Sequence, residues 1–277
     1  MMPYRLGIYE KAMPAGIGLP AALEAAKRAG FDFLELSVDE SDMRLERLDW
    51  TADERRRAVE AMWGAELPVR TMCLSAHRKY PLGSRDPAVR ARALDILEKA
   101  VRLALDLGIR VIQLAGYDVY YEEGSGDTRA WFLENLETCA RIAAAHGVTL
   151  GFETMETPFM DTVSKAMDAV RAIDSPYLGV YPDLGNLTNA CELYGLDVPG
   201  ELRAARRHFL AMHVKETVPG VYRDLRFGEG RVDFASGIRE ARAQGVGLFV
   251  AECWHDGRAD WRGGLRDISD FVRARFV

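Results

Sequence analysis

Four short apolar runs in the second half of the chain each end on a residue that can bind a metal ion. Val148-Thr149-Leu150-Gly151-Phe152 ends in Glu153, and Leu178-Gly179-Val180-Tyr181-Pro182 ends in Asp183. Phe209-Leu210-Ala211-Met212 ends in His213, and Leu248-Phe249-Val250-Ala251 ends in Glu252. The four ends lie 30, 30 and 39 residues apart, about one strand-helix unit each time. Short apolar runs bounded by turn residues read as buried strands. The strands of a parallel barrel all finish at one face, which is where such folds keep their active sites. The pattern therefore predicts that four residues far apart in the chain converge at one mouth.

The rest of the chain repeats the unit. Apolar runs at 5–9, 31–38, 69–74 and 109–114 read as four earlier strands. Helical spacing covers 19–29, 53–63, 87–107, 128–146 and about 162–173, the last with Asp161 as its candidate cap. Further helical stretches follow at 187–194, 200–207, 233–244 and 260–276. Eight strands alternating with helices, with no linker and no low-complexity tract, predict an α/β fold. The expectation is a single (β/α)8 TIM barrel filling residues 1–277 as one domain, since such a barrel takes roughly 250 residues. Neither a dinucleotide-binding glycine fingerprint after the first strand nor a phosphate-binding P-loop is present.

Composition narrows the function classes. The net charge of −6 argues against nucleic acid or an anionic membrane surface as the main partner. Cys73, Cys139, Cys191 and Cys253 are scattered with no CxxC pair, so reduced thiols and a cytoplasmic setting are expected. No apolar run approaches the roughly 18–20 residues of a membrane span, and the N-terminus shows no apolar signal segment.

Glu153, Asp183, His213 and Glu252 give three carboxylates and one imidazole, a set that suits Mn²⁺, Mg²⁺, Co²⁺ or Zn²⁺. A lone carboxylate or histidine at a strand end is usually a satisfied core or rim group. Four at consecutive strand ends reverse that reading, because clustered carboxylates repel one another until a cation resolves the conflict. Such a centre suits proton abstraction beside a carbonyl. A 2-keto sugar can chelate the cation, which stabilises the enediolate left when the C3 proton departs. Glu153 and Glu252 are then the candidate general acid and base, one for each face of C3, with Asp183 and His213 as ligands.

The chain resembles the L-ribulose-5-phosphate 3-epimerases, also called L-xylulose-5-phosphate 3-epimerases. The resemblance is carried by Leu6-Gly7-Ile8-Tyr9-Glu10-Lys11-Ala12, by Met72-Cys73-Leu74-Ser75-Ala76-His77-Arg78-Lys79-Tyr80-Pro81-Leu82-Gly83-Ser84, by Pro182-Asp183-Leu184-Gly185-Asn186-Leu187 and by His213-Val214-Lys215-Glu216-Thr217. It implies a xylose-isomerase-like TIM barrel and one divalent metal held by Glu153, Asp183, His213 and Glu252. It also implies inversion at C3 of a pentulose 5-phosphate by the two glutamates, and a homodimer or larger homo-oligomer. Arg223 matches an arginine that helps hold substrate in related ketose epimerases, and Asn186 is a second candidate for a sugar hydroxyl. Arg226 stands where the resemblance leads one to expect proline, and the run after Glu252 is not the usual continuation.

Other residues have two readings. His77, Arg78 and Lys79 either bind phosphate or sugar hydroxyls or form a solvated basic turn. Lys215, Glu216 and Glu35 either support the ligands or serve the fold. Glu156 is expected at the pocket rim, and Tyr9, Tyr117, Tyr120, Tyr121, Phe159 and Trp254 either wall the pocket or pack loops together. The rival functions are a 3-epimerase or aldose-ketose isomerase of a free sugar, a dehydratase, a sugar-phosphate-binding regulator and a DNA-repair endonuclease. Five histidines and the acidic charge fit the endonuclease poorly.

Overall fold

The computed structural model describes residues 3–276. All eight expected strands form: β1 (Arg5–Tyr9), β2 (Phe33–Val38), β3 (Val69–Leu74), β4 (Val111–Ala115), β5 (Thr149–Glu153), β6 (Leu178–Val180), β7 (Met212–Val214) and β8 (Leu248–Ala251). Every pairing is parallel, in the order β6-β5-β4-β3-β2-β1-β8-β7. The remaining seam, β6 against β7, is closed by isolated bridges at Val180–Phe209 and Asp183–His213. Its hydrogen bonds run from Val180 N–H to the His208 carbonyl (2.8 Å) and from His213 N–H to the Pro182 carbonyl (3.0 Å). Pro182 has no N–H to give, which is one reason β6 is short.

The helices are α1 (Leu19–Arg28), α2 (Asp42–Leu45), α3 (Ala52–Gly64), α4 (Pro87–Leu107), α5 (Gly126–Ala145), α6 (Val163–Ile173), α7 (Leu184–Tyr194), α8 (Val198–Ala204), α9 (Phe234–Ala243) and α10 (Trp261–Arg273). The single turn α2 was not foreseen. The cap of α6 is Thr162, whose hydroxyl accepts from Lys165 N–H, and not Asp161. Asp161 instead accepts from Lys165 Nζ at 2.6 Å and from the Tyr194 hydroxyl at 2.6 Å. Helix α7 starts three residues earlier than expected because Asp183 caps it, accepting from Asn186 N–H at 2.6 Å.

Strand alternation sorts side chains into two cores. Outward residues such as Leu6, Ile8, Leu34, Leu36 and Val214 pack in the large core beneath the helices. Inward residues Tyr9, Phe33, Cys73, Tyr181, Ala211 and Val250 fill the barrel. The fit is tight: a Cβ on Gly7 would lie 2.4 Å from the Phe33 ring, so β1 needs glycine there. Above this apolar plug lies a buried polar layer of Glu35, Thr71 and Gln113, with the four metal-ligating candidates over it.

Candidate metal centre

The four strand-end residues meet. One donor atom from each of Glu153, Asp183, His213 and Glu252 lies within 4.8 Å of every other. All four side chains are buried. Glu153 is the last residue of β5, His213 lies inside β7, Glu252 follows β8 directly, and Asp183 sits at the start of α7.

The imidazole is oriented from below. His213 Nε2–H donates to Glu35 Oε1 at 2.6 Å, which leaves Nδ1 facing Glu153 Oε1 (3.4 Å) and Glu252 Oε2 (3.3 Å). Glu35 is itself held by the hydroxyls of Thr71 (2.7 Å) and Tyr181 (2.9 Å). A carboxylate behind a ligating histidine fixes its tautomer and ring orientation, and Glu35 stands in that position behind His213. Gln113 Nε2 donates to the Glu153 carboxylate in the same way. Lys215 Nζ lies 3.4 Å from both Asp183 Oδ1 and Glu252 Oε2.

The donor set fits a divalent cation. Asp183 Oδ2 is a buried oxygen with no hydrogen-bond partner, and Glu252 Oε2 has only its ion-pair contacts to His213 and Lys215; such groups are rare unless something else satisfies them. The protonation equilibria tell the same story. Burial, reinforced by the charge of Glu252, raises the Glu153 carboxyl. Burial raises Asp183 well above its usual range despite Lys215. At Glu252 burial is outweighed by Lys215 and His213, which hold it low. His213 is pushed down by burial and then well up by Glu35 and Glu252. The cluster carries more negative charge than its own cations balance, so it binds either protons or a metal ion.

The substrate-contact candidates divide. Arg223 lines the cleft beside the donor set, its guanidinium 5.1 Å above the Trp254 ring. Asn186 also lines it. Its amide donates to the Thr154 carbonyl (2.7 Å), and its Oδ1 is without a partner. His77 does not reach the cleft: its ring is buried and bonds the Ala93 carbonyl of α4 at 3.1 Å. The short 3-10 turn Ser75–Arg78 places His77 in the helix layer and Arg78 at the cleft. Glu156 lies at the rim as expected, taking the Tyr117 hydroxyl at 2.5 Å. Glu216 serves the fold, accepting from Gly228 and Val232 N–H groups.

The cleft beside the ligands measures about 30 Å³ and is lined by Tyr9, Lys11, Arg78, Lys215, Arg223 and Trp254 among others. A larger cavity of about 590 Å³ lies beyond Trp254, between the 224–229 loop and α10. None of the four candidate ligands lines the larger cavity, whereas Glu153 and Glu252 line the small cleft.

The family model of the xylose isomerase-like TIM barrel matches residues 23–275. The chain belongs to that family. Within this xylose isomerase-like family, L-ribulose-5-phosphate 3-epimerase UlaE of Escherichia coli strain SMS-3-5 is 45% identical over 273 residues, 98% of this chain and 95% of that protein. The same fold is seen in a D-psicose 3-epimerase solved in the presence of D-fructose, with a TM-score of 0.81 at 17% identity, covering 98% of this chain and 99% of that one. An L-ribulose 3-epimerase superposes with a TM-score of 0.78 at 22% identity, covering 99% and 95%. Among the described residues no helix is long and apolar enough to cross a membrane.

Proposed function

We propose that the chain is a divalent-metal-dependent 3-epimerase of a ketopentose 5-phosphate, interconverting L-xylulose 5-phosphate and L-ribulose 5-phosphate. The observation that carries the reading is the placement of Glu153 and Glu252, from strands three positions apart around the barrel, in one buried donor set with Asp183 and His213. The 45% identity to an L-ribulose-5-phosphate 3-epimerase over nearly the whole chain supports the substrate class. Mn²⁺, Zn²⁺, Co²⁺ and Mg²⁺ all suit the donors. When bound, the cation would supply Lewis-acid stabilisation of negative charge on the sugar oxygens.

The chain's own groups do the proton transfers. One glutamate takes the proton from C3, and the C–H electron pair moves toward C2 to give an enediolate. The other glutamate, protonated, returns a proton to the opposite face of C3 and the C2 carbonyl re-forms. Gln113 and Glu35 hold the reacting carboxylate and the histidine in place. Arg78 and Arg223 line the same cleft and supply positive charge for a phosphate. Arg78 stands over Tyr117 and Tyr120 at 5.8 and 4.9 Å, and its buried Nε has no partner. A cleft of about 30 Å³ has room for a cation and one or two waters, so a sugar phosphate enters by displacing lining side chains.

The test is turnover in deuterated water with Mn²⁺-loaded protein, using L-xylulose 5-phosphate and, separately, free L-ribulose, D-fructose and D-tagatose. Deuterium at C3 of an inverted phosphorylated product is the expected result. Label at C1 would mean isomerisation, and preference for a free ketose would remove the phosphate from the reading.

A further inference from the structure

Lys215 is a buried ammonium inside an anionic site, and the reaction as described leaves it without a task. It lies two residues after His213, directly after β7, so continued alternation points both inward, while Val214 between them packs in the outer core. Its Nζ is 3.4 Å from Asp183 Oδ1 and 3.4 Å from Glu252 Oε2. On its other side the Trp254 ring stands 5.8 Å away. The side chain lines the cleft. A fixed positive charge this close to two donor residues repels a divalent cation at the same donors.

We propose that Lys215 is a charge-setting positioning residue, which weakens the donor set's hold on a divalent cation and in return places a permanent positive charge beside the carbon that becomes an enediolate. The catalytic half rests on the function proposed above. The metal half does not. Asp183 and Glu252, gripped by the ammonium, keep their orientation, and the negative charge that grows on the sugar during proton removal meets a cation already in place.

The two halves predict effects of opposite sign. In full-length protein stripped with a chelator, calorimetric titration with Mn²⁺ should show Lys215→Met binding about ten-fold more tightly than wild type, from the lost repulsion. Its kcat should fall about 100-fold with KM little changed, the scale of losing one charge-stabilising group. Lys215→Arg, which keeps the charge, should leave Mn²⁺ affinity close to wild type. Loss of a merely structural residue would loosen the metal. Unchanged or weaker Mn²⁺ binding in Lys215→Met, or equal tightening in Lys215→Arg, overturns the proposal. Should the methionine variant fail to fold, Lys215→Gln must show the same tightening. If wild type exchanges no proton at C3, the reaction reading falls, and the Mn²⁺ titration still decides the role of the lysine.

Discussion

Two buried ionic clusters stand out among the described residues of the barrel, and they differ in what they leave open to a ligand. Near the end of β1, Glu10 is clasped by Arg47, whose Nη1 and Nη2 each lie 2.6 Å from a carboxylate oxygen. Ser37 N–H adds a third bond at 3.0 Å, and Arg44 Nη1 stands 2.8 Å from Glu10 Oε2. Asp39 completes this group, with Lys11 at 2.5 Å. Both Glu10 oxygens are used. At the mouth the balance runs the other way. Glu35, Glu153, Asp183 and Glu252 face one lysine and one histidine, and Asp183 Oδ2 accepts no hydrogen bond at all. Burial of charge is common to both clusters and distinguishes nothing. The contrast lies in the acceptors: both Glu10 oxygens are bonded, whereas the mouth keeps a buried carboxylate oxygen free to meet a cation.

Substitutions can break that contrast. The largest effect is expected at the mouth, where Glu153→Gln or Glu252→Gln should lower C3 exchange by about 10³-fold or more, the upper range for losing an acid or base. Thermal midpoints should stay near wild type. Near-normal turnover in either variant would remove that residue from its role. Glu10→Gln should do the reverse: it strands two buried arginines and costs about 3–5 kcal/mol of stability, while the folded fraction keeps its kcat. Urea unfolding and single-point kinetics on the same samples separate the two. A smaller effect is expected from Glu35→Gln, which should weaken Mn²⁺ binding about 10–100-fold by freeing the His213 ring. Equal affinity in that variant would make Glu35 a core residue and blur the boundary between site and scaffold.

The gentlest probe is acid. Burial holds the His77 imidazole down at about 4, against an ordinary 6.5. The unfolded chain takes that proton first, so the His77 contribution is complete above pH 6.5 and is lost as pH falls toward 4, by up to about 1.4 kcal/mol per unit. Glu10 is pushed up by burial but held below its usual 4.5 by Arg47 and then Arg44. Its contribution survives to about 4.5 and disappears below. Urea midpoints against pH for wild type and His77→Gln should diverge between 6.5 and 4. Parallel curves would show that His77 is not buried as a neutral ring.

The convergence of the four strand-end side chains was legible because two local rules agree: apolar runs of strand length, and one chemical group at each end. The strand face was legible too, so Lys215 two after His213 and the alternating Glu35 could be singled out, though not assigned. What chain position does not reveal is the opposite wall. Glu35 and His213 are 178 residues apart and meet only through barrel closure. Gln113 was missed for the same reason, being one polar residue in an otherwise apolar strand. His77 went the wrong way because a single 3-10 turn after β3 decides which of three consecutive side chains faces the cleft. The double duty of Asp183, donor and helix cap, left its trace in the Asp-Leu-Gly-Asn run. That run was read for its ligand and not for its cap.

The β6–β7 seam has one more implication. The bridge nearest the mouth pairs Asp183 with His213, so the last stitch in the ring is made by two of the groups offered to the cation. Whatever fastens those two side chains also laces the wall together at its shortest strands. Amide exchange at these two positions should then slow on loading more than anywhere else in the wall, and the hoop and its clasp would tighten as one.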